Sequence, residues 1–126
     1  MKKCTCLICG FKNPHPTTTT IIIKDGKLLV AKRAESPFKG HWDFFGGYMK
    51  AGETPEQGLR REIKEELGVN STQTYIGTIA GNASYMGFEY PIISFVFLTE
   101  LGAGKIKLDK KENSKLSWVP IAQLKN

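Results

Sequence analysis

The 126-residue sequence contains no run approaching the ~20 consecutive apolar residues that a bilayer-crossing helix needs, which excludes helical membrane spans. Met1-Lys2-Lys3 is not followed by the apolar core of a secretory signal, so the cytoplasm is the expected location. Cysteine is scarce. Its three copies, Cys4, Cys6 and Cys9, all fall in the first ten residues. An odd, clustered set without a secretory signal argues against a disulfide framework. It leaves a metal knuckle or free thiols. No internal repeat or low-complexity segment is present. Apolar residues make up 40% and charged residues 24%, the composition of an ordinary globular domain with one core.

The formal net charge is +6, from 18 basic and 12 acidic residues. A basic surface attracts anions, either nucleic acid or a phosphorylated small molecule. A solubilising lysine coat is the plainer reading, and it is favoured for Lys107, Lys110 and Lys111 in their polar stretch.

Residues 1–16 form a short head that ends in Asn13-Pro14-His15-Pro16, and residues 17–126 form the main domain. Thr17 to Ile23 is β-branched throughout and predicts a strand. Asp25-Gly26 predicts a hairpin turn, with Lys27 to Arg33 returning. Further strands are expected at Thr72–Ala80 and Ile92–Thr99, and shorter ones at Ile106–Leu108 and Leu116–Val119. Ile121–Leu124 reads as a stub of helix. The clearest helix spans Pro55–Leu67. Thr54 is its N-cap, Gln57 completes a capping box, Pro55 suits the first position, and Gly68 stops it. One helix among many strands predicts an α+β domain with the helix packed on a sheet.

On a helical wheel Leu59, Ile63 and Leu67 form a narrow apolar stripe. Glu62, Glu65 and Glu66 fall on the adjacent strip. Three carboxylates so close repel one another on an isolated helix. A solvated charged face is one reading. A divalent cation is the other, because carboxylates at i, i+3 and i+4 can converge on one hard ion.

The surroundings favour the cation. The stretch reads Gly47-x5-Glu53-x7-Arg61-Glu62-Ile63-x-Glu65-Glu66-x-Gly68-Val69. At average residue frequencies its chance occurrence per start position is on the order of one in a billion. It resembles the complete signature box of the Nudix hydrolases. Cys6-Leu7-Ile8-Cys9-Gly10, Asn13-Pro14-His15-Pro16 and Pro37-Phe38-Lys39-Gly40-His41-Trp42-Asp43 extend the resemblance. They are similar to a bacterial and archaeal group that carries a zinc ribbon before the domain and acts on ADP-ribose or NADH.

The resemblance implies an α/β/α sandwich around a mixed sheet. It implies Mg²⁺, with Mn²⁺ as a substitute, held by Glu62, Glu65, Glu66 and the Gly46 carbonyl. Glu53 would support the ligands or join them, oriented by Arg61. Glu112, six residues before Trp118, is the candidate for a further ligand or base, against the alternative of a surface glutamate. Arg33, Lys32 and Lys50 are candidate phosphate contacts, and Gly47 lets the loop approach the substrate. Trp42, Tyr85, Phe88 and Tyr90 could stack on a base, although packing at the edge of the core is the plainer role for each. A zinc ion on Cys4, Cys6, Cys9 and His15 would have four ligands. A degenerate remnant with free thiols is the favoured alternative.

Two departures stand out. Where the family usually has Leu-Pro before two glycines, this chain has Phe44-Phe45-Gly46-Gly47. Lys50 stands where an acidic residue is common, which lowers the negative charge beside the metals. The expected activity is metal-assisted hydrolysis of a pyrophosphate linkage, with ADP-ribose or a dinucleotide slightly favoured. A nucleoside triphosphate pyrophosphohydrolase and a non-catalytic nucleotide-sensing module are the alternatives. Nucleic acid is not the expected partner, and a homodimer is.

Overall fold

The computed structural model describes residues 2–3, 5–34, 39–111 and 113–123. Its elements are β1 (Lys2–Lys3), β2 (His15–Lys24), β3 (Lys27–Arg33), β4 (Trp42–Asp43), β5 (Phe45–Tyr48), α1 (Pro55–Leu67), β6 (Ser71–Tyr85), β7 (Phe88–Leu101), β8 (Asn113–Pro120) and a closing 3-10 turn at Ile121–Gln123.

β2 is the central strand. It runs parallel to β7 from His15↔Ile92 to Ile22↔Thr99, and antiparallel to β5 from Thr17↔Tyr48 to Thr20↔Phe45. β6 extends the sheet beyond β7, antiparallel. At its far end β2 turns through Asp25 (φ 53°) and Gly26 (φ 71°) into β3. β3 carries β8 on one edge and the short β4 on the other. Parallel and antiparallel pairs therefore occur in one mixed sheet.

β2 buries alternate residues, as a strand with one core face should. Two of the buried positions are threonines, Thr18 and Thr20. Their hydroxyls need partners. Thr20 Oγ1 lies 2.5 Å from Thr99 Oγ1 and donates to the Phe97 carbonyl at 3.0 Å. These bonds cross from β2 to β7 and satisfy groups that would otherwise be costly to bury.

α1 forms as its sequence dictates. Thr54 Oγ1 accepts from the Gln57 amide, Gln57 Oε1 accepts from the Thr54 amide, and Gly68 ends the helix at φ 72°. Leu59, Ile63 and Leu67 are fully buried against Ile22, Leu29, Ala31, Phe45 and Phe97. α1 packs on β2, β5 and β6. It is the only α-helix among the described residues.

The structure corrects one expected element. Ile106–Leu108 is not a strand. Instead, the Lys107 amide donates to the Leu67 carbonyl at 2.8 Å and the Asp109 amide to the Glu66 carbonyl at 2.9 Å. This loop occupies carbonyls left open at the helix C-terminus, while Ile106 and Leu108 pack against the core. β6 and β7 are also longer than expected, and they join through Met86 (φ 52°) and Gly87 (φ 80°).

Candidate active site

β5 carries Gly46 and Gly47 directly over α1, and the sequence explains the closeness. A Cβ on Gly46 would sit 2.0 Å from the Thr18 carbonyl oxygen, at a φ of +147°. A Cβ on Gly47 would sit 2.7 Å from Glu62 Oε1. Only glycine lets β5 approach β2 on one side and the helix carboxylate on the other. Phe45, standing where the family has proline, is buried in the core and anchors this strand.

Glu62 and Glu66 are buried, while Glu65 has 47% of its side chain exposed. The three carboxylates predicted on one strip therefore divide into two that line the cleft and one, Glu65, that is outside its lining. Arg61 gathers the others. Its Nε donates to Glu53 Oε2 at 2.6 Å and its Nη2 to Glu53 Oε1 at 3.0 Å. Its Nη1 reaches Glu62 at 3.0 Å and Glu65 at 3.3 Å. The bidentate pairing with Arg61, followed by a 2.7 Å hydrogen bond from the Lys50 amide, holds Glu53 down at a pKa of about 2. The same carboxylate pushes the Arg61 pKa up.

A cleft of about 410 Å³ opens between β2, β5 and α1. Glu62, Glu66, Gly46 and Gly47 form one side, and Arg33, Asp43, Lys111 and Asn113 also line it. Arg33 stands 3.8 Å from Asp43. Lys111, read from sequence as part of a solvated coat, lines the cleft. Its neighbours Asp109 and Asn113 are tied by the loop docked on the helix end. Tyr48, unremarked in the sequence, also lines the cleft. Its hydroxyl is hydrogen-bonded to that of Tyr90, and partial burial followed by this contact pushes its pKa up to about 12.

Other expected residues lie elsewhere. Trp42, in β4, is exposed and outside the cleft lining, whereas Phe44 lines it. Phe88 stands at the far β6–β7 turn. Lys32 pairs with Trp42 and Lys115 within the sheet, outside the cleft lining. Glu112 and Cys4 lie outside the described residues, as does the side chain of Tyr85.

At the head, Cys6 and Cys9 are free thiols on one turn. Asn13 Nδ2 donates to Cys9 Sγ at 3.2 Å. Hydrogen bonding from the Phe11 backbone, then from Asn13 and Cys6, lowers the Cys9 pKa. His15, the fourth residue of the zinc reading, begins β2 and packs edge-on against Tyr90 with ring centroids 4.9 Å apart. Among the described residues no three His, Cys, Asp or Glu side chains stand in a metal-holding arrangement. At the helix, the Arg61 guanidinium bonds Glu53, Glu62 and Glu65.

The donor set nevertheless fits a hard divalent cation. Three carboxylates surround a single guanidinium and the buried Glu66 adds a fourth to the helix, leaving net negative charge, and the available donors are oxygens. Gly47 leaves room against Glu62 where any side chain would intrude.

Comparison with known proteins agrees with this geometry. The NUDIX domain family matches residues 14–126. An ADP-ribose pyrophosphatase of Methanocaldococcus jannaschii is 36% identical over 104 residues, covering 78% of this chain and 60% of its own length. An 8-oxo-dGTP diphosphatase of Proteus vulgaris is 34% identical over 105 residues, covering 82% and 88% respectively. The crystal structure of a MutT NUDIX hydrolase from Burkholderia pseudomallei superposes with a TM-score of 0.78 at 25% identity, covering 90% of this chain and 88% of that one. The chain belongs to the NUDIX family and is a Nudix hydrolase with that family's α+β sandwich and mixed sheet. The chain spans 60% of the first of these relatives and most of the second. No helix among the described residues is long and apolar enough to cross a membrane.

Proposed function

We propose that this chain hydrolyses the pyrophosphate linkage of a nucleoside diphosphate joined to a second moiety, with ADP-ribose or a dinucleotide as the favoured substrate. The observation that carries the reading is the cleft. It has two buried carboxylates, Glu62 and Glu66, on the helix side, and two cations, Arg33 and Lys111, also line it. In such a lining the guanidinium and ammonium can pair with phosphoryl oxygens, and the carboxylates would hold the divalent cations that would offset the remaining charge.

Glu62, Glu65, Glu66 and the Gly46 carbonyl would hold Mg²⁺, or Mn²⁺ in its place. Bound there, the cations neutralise the diphosphate and make a bound water more acidic. Arg61 keeps Glu53 and Glu62 in place for this role. A carboxylate of the cluster takes a proton from the attacking water, whose oxygen bonds to phosphorus as the bridging P–O bond breaks. Two phosphate monoesters leave. Glu112, next to Lys111 and Asn113 in the sequence, remains the candidate for an added carboxylate.

The relative named ADP-ribose pyrophosphatase supports the favoured substrate. The one named 8-oxo-dGTP diphosphatase supports a second reading, a nucleoside triphosphate pyrophosphohydrolase. The intact box disfavours a non-catalytic sensing module. A cytoplasmic homodimer, with residues 1–16 as an appended head, completes the reading. The test is a panel of ADP-ribose, NADH, diadenosine polyphosphates and nucleoside triphosphates with Mg²⁺. Glu65→Gln and Glu66→Gln run beside the wild type. Turnover of one compound that is lost in Glu66→Gln supports the reading. Equal activity of wild type and both variants across the panel rejects it.

A further inference from the structure

The start of β8 breaks the alternation of its strand. Leu116 and Trp118 pack toward the core, so a regular strand would turn Ser114 to the same side. It does not. β3 and β8 run in register through Lys32↔Lys115, and then Arg33 pairs with Asn113, skipping Ser114. This is a β-bulge, a device that re-aims a side chain. Ser114 is left exposed, with its hydroxyl donating to the Lys32 carbonyl at 3.4 Å. Asn113 takes the inward position beside Arg33 and is only 8% exposed.

The Asn113 backbone amide donates to the Asp109 carbonyl at 3.2 Å. Among the described residues its side-chain amide makes no hydrogen bond. It lines the cleft instead, in the company of Arg33, Lys111, Glu62 and Glu66. The segment preceding it is pinned to the carbonyl of Glu66 through the Asp109 amide. The bulge therefore places a neutral amide among the residues that line the cleft.

We propose that the Asn113 side-chain amide binds the phosphate chain of the substrate, donating to a phosphoryl oxygen beside Arg33. This rests on the pyrophosphohydrolase reading above. A neutral donor suits the position. It adds a directed hydrogen bond to the cations Arg33 and Lys111 without a further charge to desolvate. A carboxylate there would repel the phosphates.

The test is calorimetric binding of two non-hydrolysable diphosphates, α,β-methylene-ADP and α,β-methylene-UDP, in Mg²⁺, to wild type, Asn113→Ala and Asn113→Asp. A hydrogen bond to a charged group predicts a Kd at least about tenfold weaker in Asn113→Ala. Asn113→Asp is expected to lose more, and the loss is the same for the adenine and uracil analogues. Melting temperatures check that the fold is intact, and the isosteric aspartate carries the test if alanine destabilises it. Unchanged affinity overturns the proposal. So does a loss confined to one base, or a wild type that binds neither analogue. Wild-type turnover of the substrate panel is a separate measurement: failure there, with diphosphate binding intact, rejects the hydrolase reading and leaves Asn113 judged on binding alone.

Discussion

Arg61 Nε lies 2.6 Å from Glu53 Oε2, and the two residues, eight apart in sequence, form a two-pronged pair between the loop after β5 and the middle of α1. The guanidinium also touches Glu62 and Glu65, so one cation organises three carboxylates. Its Nη2 donates to the Tyr48 carbonyl at 3.2 Å as well, fastening the helix to the glycine strand.

This pair sets a pH dependence. Glu53 has its folded pKa lowered to about 2 from the ordinary value of 4.5, so the folded state releases its proton more readily than the unfolded chain. The stabilisation is fully present above the unfolded value and is lost as pH falls through the folded one. Metal-free wild type is expected to lose stability between about pH 5 and pH 2. Glu53→Gln should flatten that part of the profile. Chemical denaturation at several pH values measures it, and parallel profiles for the two proteins would count against the pairing.

The two glycines of β5 differ in what an added methyl would strike. Gly46→Ala meets backbone of β2 at a positive φ, so the strand itself must move, and a loss of roughly 2 kcal/mol or more is expected. Gly47→Ala meets the end of the Glu62 side chain, which can shift. Its melting temperature should therefore fall less than that of Gly46→Ala while its activity falls steeply. Thermal melts and turnover on the same samples separate the two outcomes.

Thr20 and Thr99 share a buried hydrogen bond. Thr20→Val strips it and leaves Thr99 buried beside an apolar group, at a cost of about 1–3 kcal/mol. In the double variant Thr20→Val/Thr99→Val neither hydroxyl is stranded, so its loss of stability should be smaller than the sum of the single losses. Urea titration of the three variants gives the coupling, and strict additivity would contradict it.

At the helix N-terminus, Thr54→Ala removes the capping oxygen from the Gln57 amide. About 1 kcal/mol of stability should be lost. Because α1 carries Glu62 and Glu66 about two to three turns further on, activity at temperatures well below the melt should change little. A large activity loss without destabilisation would mean that the cap does more than start the helix.

Much of this arrangement was legible in the sequence where short-range chemistry dictates structure. Thr54, Pro55, Gln57 and Gly68 mark both ends of α1, and Leu59, Ile63 and Leu67 give its buried face. Asp25-Gly26 marks the hairpin because both residues tolerate positive φ. The glutamate spacing and the glycines of the box locate the site. What stayed hidden depends on tertiary contacts. Gly77, Gly81 and Pro91 interrupt the pattern of β6 and β7, yet the strands continue through all three because they pair with each other. Ile106 and Leu108 alternate like a strand, but the open carbonyls of the helix end claim their segment. Lys111 and Asn113 carry no local mark of function, and a docked loop and a bulge bring them to the cleft. Trp42 looked suited to stacking, while Phe44 and Tyr48 are aromatics that the chain around β5 places at the cleft.

The most direct test of the central claim is hydrolysis of ADP-ribose with Mg²⁺ in ¹⁸O-labelled water, with the products resolved by mass spectrometry. The account predicts AMP and ribose 5-phosphate, with one solvent oxygen in one of the two phosphates, and loss of both products in Glu66→Gln. Products that retain an intact diphosphate, or equal turnover by Glu66→Gln, would contradict it.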